Sequence, residues 1–338
     1  MKKFLSILLA LALVLSLGTV AFATGGEPGT TYKDHDKVTL TKNYILGSEK
    51  GTSPAETFTF SGLTCESVEN AGLDNDGNPV TPESAPVPRI EGGASFEKGA
   101  AGTNQEETIT IDLPDNYEAV GVYTYTFNEV DNNTAGVTYR TNPITLVVYV
   151  IQGDGKLIRY PVLHTENSGG QKSDSFDNTY SAGSLAVEKV VTGNMGDQKK
   201  EFDVTVTFMA PTGDTVKSDI TYMDGEEPKT ISAGYGWTEK AETISLHHGE
   251  TIIFENIPYG VGYTVEERVY DDYEVTYDGK TGTIGDETPD ATTITNNKDG
   301  GVIDTGVFMD SLPYVLLLVG ACAGLVVFFA RRRMTHKG

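Results

Sequence analysis

Short runs in which apolar and polar residues alternate, broken by Gly, Asn, Asp and Pro, recur from residue 37 to residue 298. Lys37-Val-Thr-Leu-Thr-Lys42, Val122-Tyr-Thr-Tyr-Thr-Phe127, Ile144-Thr-Leu-Val-Val-Tyr-Val-Ile151, Glu201-Phe-Asp-Val-Thr-Val-Thr-Phe208 and Thr251-Ile-Ile-Phe254 are examples. A period of two belongs to half-buried strands, and many short strands with frequent turns point to antiparallel sandwiches. The 17 Tyr, 13 Phe and 38 Gly suit strands and tight turns. The runs fall into two sets, 31–180 and 184–298, with Ser181-Ala-Gly-Ser184 expected as a short hinge between two domains. Asn70 to Ala94, rich in Pro, Gly and Asn, reads as a long surface loop, and Asp74-Asn-Asp-Gly-Asn78 within it reads as a turn. The latter lacks the ligand spacing of a calcium-binding EF-hand.

The ends settle the expected compartment. Residues 1–23 start with Lys2-Lys3, continue through an apolar stretch and finish in Ala21-Phe-Ala23, the layout of a secretory signal peptide. Residues 312–330 form an uncharged, mostly apolar span long enough to cross a bilayer, followed by Arg331-Arg-Arg333 in the basic tail 331–338. The body is therefore expected outside the cell, tethered at its C-terminus. Between Thr24 and Thr305 there are 19 basic and 47 acidic residues, a net charge of −28. Such a surface excludes nucleic acid as a partner, since phosphate binding needs Lys and Arg. It also makes copies repel one another.

Cys322 lies in the apolar span, which leaves Cys65 alone in the exported body. An internal disulfide is impossible, so durability must come from core burial, metal or another covalent link. With so few His and Cys no metal site and no cofactor is expected. His35, His164, His247 and His248 lie in no recognisable nucleophile–base motif, which argues against a secreted hydrolase.

Strand parity brings out the chemistry. Alternate residues of a strand share a face. Val38 and Leu40 thus lead to Lys42, and Leu185 and Val187 lead to Lys189. Tyr125 and Phe127 lead to Glu129, and Tyr263 and Val265 lead to Glu267. Phe176 leads to Asn178, and Ile294 leads to Asn296. Each set therefore runs Lys, Glu, Asn on apolar faces, with spacings of 87 and 49 residues in the first and 78 and 29 in the second. Singly, such residues are ordinary strand-end groups that reach water. Ordered alike in two tandem domains, they fit a buried reaction. Desolvation favours a neutral amine beside a neutral acid. The amine is then a nucleophile toward the Asn amide, and the acid can polarise that amide and shuttle protons as ammonia leaves. The expected product is one Lys–Asn isopeptide bond per domain, a single-turnover event within a chain that is not otherwise an enzyme.

Thr39-Leu-Thr-Lys-Asn43, Gly121-Val-Tyr-Thr-Tyr-Thr-Phe-Asn-Glu129, Gly136-Val-Thr-Tyr139 and Ser175-Phe-Asp-Asn178 resemble the N-terminal domain of Gram-positive major (backbone) pilins. Leu185-Ala-Val-Glu-Lys189, Gly260-Val-Gly-Tyr-Thr-Val-Glu-Glu267 and Thr293-Ile-Thr-Asn296 resemble the second domain of the same family. The resemblance implies an all-β chain of two tandem immunoglobulin-like (CnaB-like) sandwiches. It implies isopeptides Lys42–Asn178 and Lys189–Asn296, with Glu129 and Glu267 as the assisting acids. The family's pilins are sortase substrates, and Val302-Ile-Asp-Thr-Gly306 stands where the sorting pentapeptide belongs, before the apolar span. Cleavage is then expected between Thr305 and Gly306. Ile303 and Val302 replace the usual proline and leucine, which points to a dedicated pilus sortase. The family's acceptor lysine lies just before the last strand of the first domain, and Lys172, six residues before Asn178, is the nearest match.

The expected function is a shaft subunit of a covalent surface pilus. Its partners are the sortase, further copies of the chain and the cell wall. The alternative within the same resemblance is a minor pilin or stand-alone wall-anchored adhesin that binds a host or matrix surface.

Overall fold

The computed structural model describes residues 33–49, 51–165, 172–285, 290–300 and 317–318. The expected leader 1–23, the pentapeptide 302–306 and the tail 331–338 lie outside these residues. So does the apolar span 312–330, apart from Leu317 and Leu318.

The first half contains ten strands: β1 (Lys37–Leu46), β2 (Glu56–Phe58), β3 (Thr64–Glu69), β4 (Arg89–Glu91), β5 (Ala94–Phe96), β6 (Glu106–Asp112), β7 (Gly121–Phe127), β8 (Ile144–Gln152), β9 (Leu157–His164) and β10 (Ser175–Tyr180). They form a sheet of order β10-β1-β6-β4 and another of order β3-β7-β8-β9, with β2 and β5 paired beside them. Leu40, Ile109 and Ile111 of one sheet and Tyr125, Leu146 and Val148 of the other share one core. The second half adds β11 (Ala182–Thr192), β12 (Phe202–Met209), β13 (Ile220–Asp224), β14 (Glu227–Ile231), β15 (Glu239–Leu246), β16 (Thr251–Pro258), β17 (Gly262–Glu267), β18 (Glu274–Asp278), β19 (Thr281–Thr283) and β20 (Asp290–Asn297). Its sheets run β14-β13-β16-β11-β20-β18 and β15-β12-β17-β19 around a second core that includes Leu185, Val206, Phe254 and Val265. The chain is all-β, as its alternation requires.

In each half the first and last strands lie side by side and parallel. In β1 and β10, Lys42 is opposite Phe176 and Tyr44 opposite Asn178. In β11 and β20, Lys189 is opposite Ile294 and Val191 opposite Asn296. Each lysine thus sits two residues before the position that faces its asparagine. That one-step offset is short enough for a long amine side chain to cover.

Two expectations change. Ser181–Ser184 is not a hinge, because β11 already begins at Ala182. The Ser181 N–H donates to Gly136 O at 2.9 Å, and its carbonyl accepts from Tyr259 N–H at 3.0 Å. Nor is Asn70–Ala94 wholly loop. It contains β4, which pairs with β6, and the bridge Leu73–Pro79, which closes a turn where Asp74 Oδ1 accepts from the N–H groups of Asp76 and Asn78.

The two sandwiches are joined by polar contacts. Asn256 donates through Nδ2 to the carbonyls of Thr52 (3.1 Å) and Asp219 (2.8 Å) and accepts at Oδ1 from Thr52 N–H (2.9 Å) and Tyr180 O–H (3.2 Å). Its backbone is left-handed, φ 61°, a conformation that Asn tolerates better than most residues. Lys217 Nζ donates to Thr134 Oγ1 at 2.8 Å, whose hydroxyl donates in turn to the buried Glu56 carboxylate at 2.6 Å. Asn256→Gly keeps the backbone and removes the side-chain bonds, so it should lower unfolding free energy by roughly 1–3 kcal/mol in urea titration. It should also widen the spread of inter-sandwich distances seen by X-ray scattering. Asn256→Ala should cost about 1 kcal/mol more, the penalty of a Cβ at positive φ.

Candidate functional site

Parity delivers the six singled-out residues to two buried places, one per sandwich. Lys42 follows Leu40 on the inner face of β1 and Asn178 follows Phe176 on that of β10; all these side chains are buried. Glu129 comes just after β7, where it bridges to Phe60. Lys189, Glu267 and Asn296 occupy the matching places on β11, β17 and β20.

In the first site Lys42 is fully enclosed, its Nζ 3.6 Å from Glu129 Oε1. It donates to the Asn43 carbonyl at 3.2 Å and lies 4.3 and 4.4 Å from the ring centres of Phe58 and Phe176. Asn178 Nδ2 donates to both Glu129 oxygens, at 3.0 and 2.9 Å. The Arg140 main-chain N–H donates to Oε2 at 2.6 Å. In the second site Lys189 Nζ lies 2.6 Å from Glu267 Oε2, and Asn296 Nδ2 donates to Oε1 at 2.6 Å. Phe202 stands 4.4 Å from that amine, and the Glu267 N–H donates to Tyr277 Oη at 2.9 Å. In both sites one carboxylate touches amine and amide, and the Asn carbonyl oxygen is buried without a hydrogen bond among the described residues.

Burial shifts three of these groups. It pushes the Lys42 amine down to about 8, with Glu129 and Asp177 opposing, and pushes the Glu129 carboxyl upward against the pull of Lys42 and the Arg140 amide. Lys189 is likewise lowered by burial, with Glu267 opposing. Each lowered amine is closer to its nucleophilic form at neutral pH.

Lys172 is exposed, its Nζ 5.9 Å from the Tyr160 ring centre, at the end of β10 remote from the second sandwich. Thr305 and Gly306 lie outside the described residues. Phe176 shares its face with Asn178, but Phe58, Phe202 and the Arg140 amide have no signature in the parity of the site strands, since they come from other strands and from a loop. Among the described residues, Glu201, His247 and Glu250 bring possible metal-ligand atoms within 4.8 Å of one another. Two of the three, His247 and Glu250, form a surface contact of 2.6 Å.

The lowered Lys42 gives a stability test. In Asn178→Ala no bond can form, and Lys42 remains a buried amine. Between pH 8 and 10.5 the native state then holds fewer protons than the unfolded one, so the stability contributed by this group rises with pH. The difference in unfolding free energy between Asn178→Ala and Asn178→Ala/Lys42→Met should shift across that window by roughly 3 kcal/mol in favour of the lysine chain. A flat difference would contradict the lowered amine.

A family model described as a domain of unknown function (DUF7601) matches residues 183–298, the second sandwich. Along the sequence the chain is 27% identical to a pilin of Streptococcus pyogenes serotype M1, over 95% of this chain and 98% of that one. It is 32% identical to the pilus tip adhesin Cpa of Streptococcus pyogenes over 37% of this chain, but only 18% of the adhesin. In fold it is similar to the major pilin T3.2 of Streptococcus pyogenes serotype GAS13637, with TM-score 0.53, 24% identity, and coverage of 79% of this chain and 99% of that one. A second Streptococcus pyogenes major pilin gives TM-score 0.50 at 26% identity, covering 80% and 100%. Along nearly the whole sequence and in the arrangement of its strands, this chain is similar to major pilins of Streptococcus pyogenes.

Proposed function

We propose that the protein is a structural subunit of a surface pilus, stiffened by two self-formed Lys–Asn bonds and polymerised by a sortase through Thr305 and Lys172. One observation carries the reading: both sandwiches hold Lys, Glu and Asn at the seam of their first and last strands, in contact through one carboxylate and with the same register offset. In each site the neutral amine Nζ attacks the Asn Cγ. The Nζ–Cγ bond forms, the Cγ–Nδ2 bond breaks, and the Glu carboxyl passes a proton from Nζ to the departing ammonia. No oxidant or metal is required. By analogy with a disulfide that closes a loop of this length, each link adds roughly 5 kcal/mol through the unfolded state.

Polymerisation uses the exposed amine. The sortase holds Thr305 as a thioester until Lys172 of the next subunit displaces it and leaves an amide. Lys42 and Lys189 are enclosed, so neither can serve as the acceptor.

The mass of the purified exported body tests the internal bonds. Two closures should make it about 34 Da lighter than its sequence, one ammonia per bond. Glu129→Ala or Glu267→Ala should each restore about 17 Da. Full sequence mass in the folded wild type would sink the reading. With its cognate sortase the wild type should give a ladder that survives boiling in detergent and yields a Thr305–Lys172 branched peptide on digestion. Lys172→Ala should abolish the ladder and keep the 34 Da deficit. A persisting ladder moves the acceptor to another lysine; its absence from the wild type favours a stand-alone wall-anchored adhesin.

A further inference from the structure

The two sites share residue types and register but differ in how closely the carboxylate approaches its lysine. Glu129 is held off its lysine, at 3.6 Å, whereas Glu267 lies against its lysine at 2.6 Å. The difference follows from the donors around each carboxylate. Asn178 Nδ2 takes both oxygens of Glu129, and the Arg140 main-chain N–H fixes Oε2 at 2.6 Å. Among the described residues, the side-chain oxygens of Glu267 receive a hydrogen bond only from Asn296 Nδ2, on Oε1; Oε2 makes none and lies against Lys189 Nζ as an ion pair.

We infer that the Arg140 main-chain N–H is a positioning group for the first reaction, and that Lys42–Asn178 consequently closes ahead of Lys189–Asn296. This rests on the cross-linking reading above. An amine must shed its proton before it attacks, and a close carboxylate in a dry site holds that proton in place. Moving the carboxylate from 2.6 to 3.6 Å weakens that hold. The phenylalanine rings act the other way, since both Phe58 and Phe176 flank Lys42 and attract an ammonium, but such contacts are weaker than a desolvated ion pair. Glu129 and Asp177 are the acidic groups acting on Lys42, with the Arg140 guanidinium 5.5 Å from the Phe176 ring; Glu267 acts on Lys189, with Lys200 Nζ 5.5 Å from Phe202. Each closure exchanges one Cγ–Nδ2 bond for one Nζ–Cγ bond and releases ammonia.

The full chain, recovered unfolded from inclusion bodies, is diluted into native buffer containing detergent at several pH values and quenched at intervals. Mass spectrometry of digests then follows each linked peptide pair separately. At pH 7 the Lys42–Asn178 pair should appear about tenfold faster, and the gap should narrow as rising pH strips Lys189 of its proton. Arg140→Pro removes the N–H and should slow the first bond about tenfold, whereas Arg140→Ala retains it and should restore the wild-type rate. Equal rates for the two bonds at every pH would overturn the inference while leaving the cross-linking reading intact. So would an unchanged first bond in Arg140→Pro, or equal slowing by both substitutions. Should Arg140→Pro fail to fold, the comparison of the two wild-type rates decides. Absence of any linked peptide would remove the cross-linking reading itself.

Discussion

A buried amine set beside a carboxyl and at least one aromatic ring is the constraint around which both halves of the chain are organised. Lys42 and Lys189 are each fully buried, and burying a charge costs several kcal/mol unless a partner repays it. As a permanent ion pair this arrangement gives little over well-packed apolar residues. Its geometry makes sense as the state before a bond. Closing the bond, as proposed, replaces ammonium and amide by a neutral link and leaves only the glutamate to be satisfied. Parallel pairing of first and last strands is what makes this possible, because it sets lysine and asparagine on one face, one step apart.

The same economy shows in what the body between the two apolar ends lacks. It has one cysteine, Cys65, and a net charge of −28 between Thr24 and Thr305. Weak contacts between such subunits are opposed by long-range repulsion, screened only partly at physiological salt. Within one chain the sandwiches meet through directional polar bonds as well as buried apolar contacts such as Ala135 in the second core. Asn256 and the Lys217–Thr134–Glu56 relay satisfy their groups across the seam, which fixes relative orientation as apolar packing alone does not.

Much of this was legible because strand parity is strict. Once Leu40 and Val187 face a core, Lys42 and Lys189 must follow, and the same holds for Glu129, Glu267, Asn178 and Asn296. What parity does not carry is anything set by a neighbour in space. Composition made Ser181–Ser184 a hinge, yet its backbone is engaged by Gly136 and Tyr259 from distant parts of the chain. Pro and Gly made Asn70–Ala94 a loop, although the edge of a sheet accepted Arg89–Glu91 as a short strand. The Arg140 amide could not be foreseen either, since every residue but proline carries the same N–H.

Strand order also decides how a pull would travel. Under the proposed linkage, tension enters at Lys172 and leaves toward Thr305. From Lys172 it runs along β10, through the short connection at Ser181 and into β11, so the backbone itself carries it as far as Lys189. There the fold alone would have to resist, since β11 and β20 lie parallel and a pull between Lys189 and Asn296 loads their hydrogen bonds in shear. A bond between those two residues bypasses the intervening chain. The first bond acts differently. It ties β1 to β10 a few residues beyond the point of entry, so a pull on Lys172 cannot peel β10 from its sheet past Asn178. One link thus carries load and the other guards an edge.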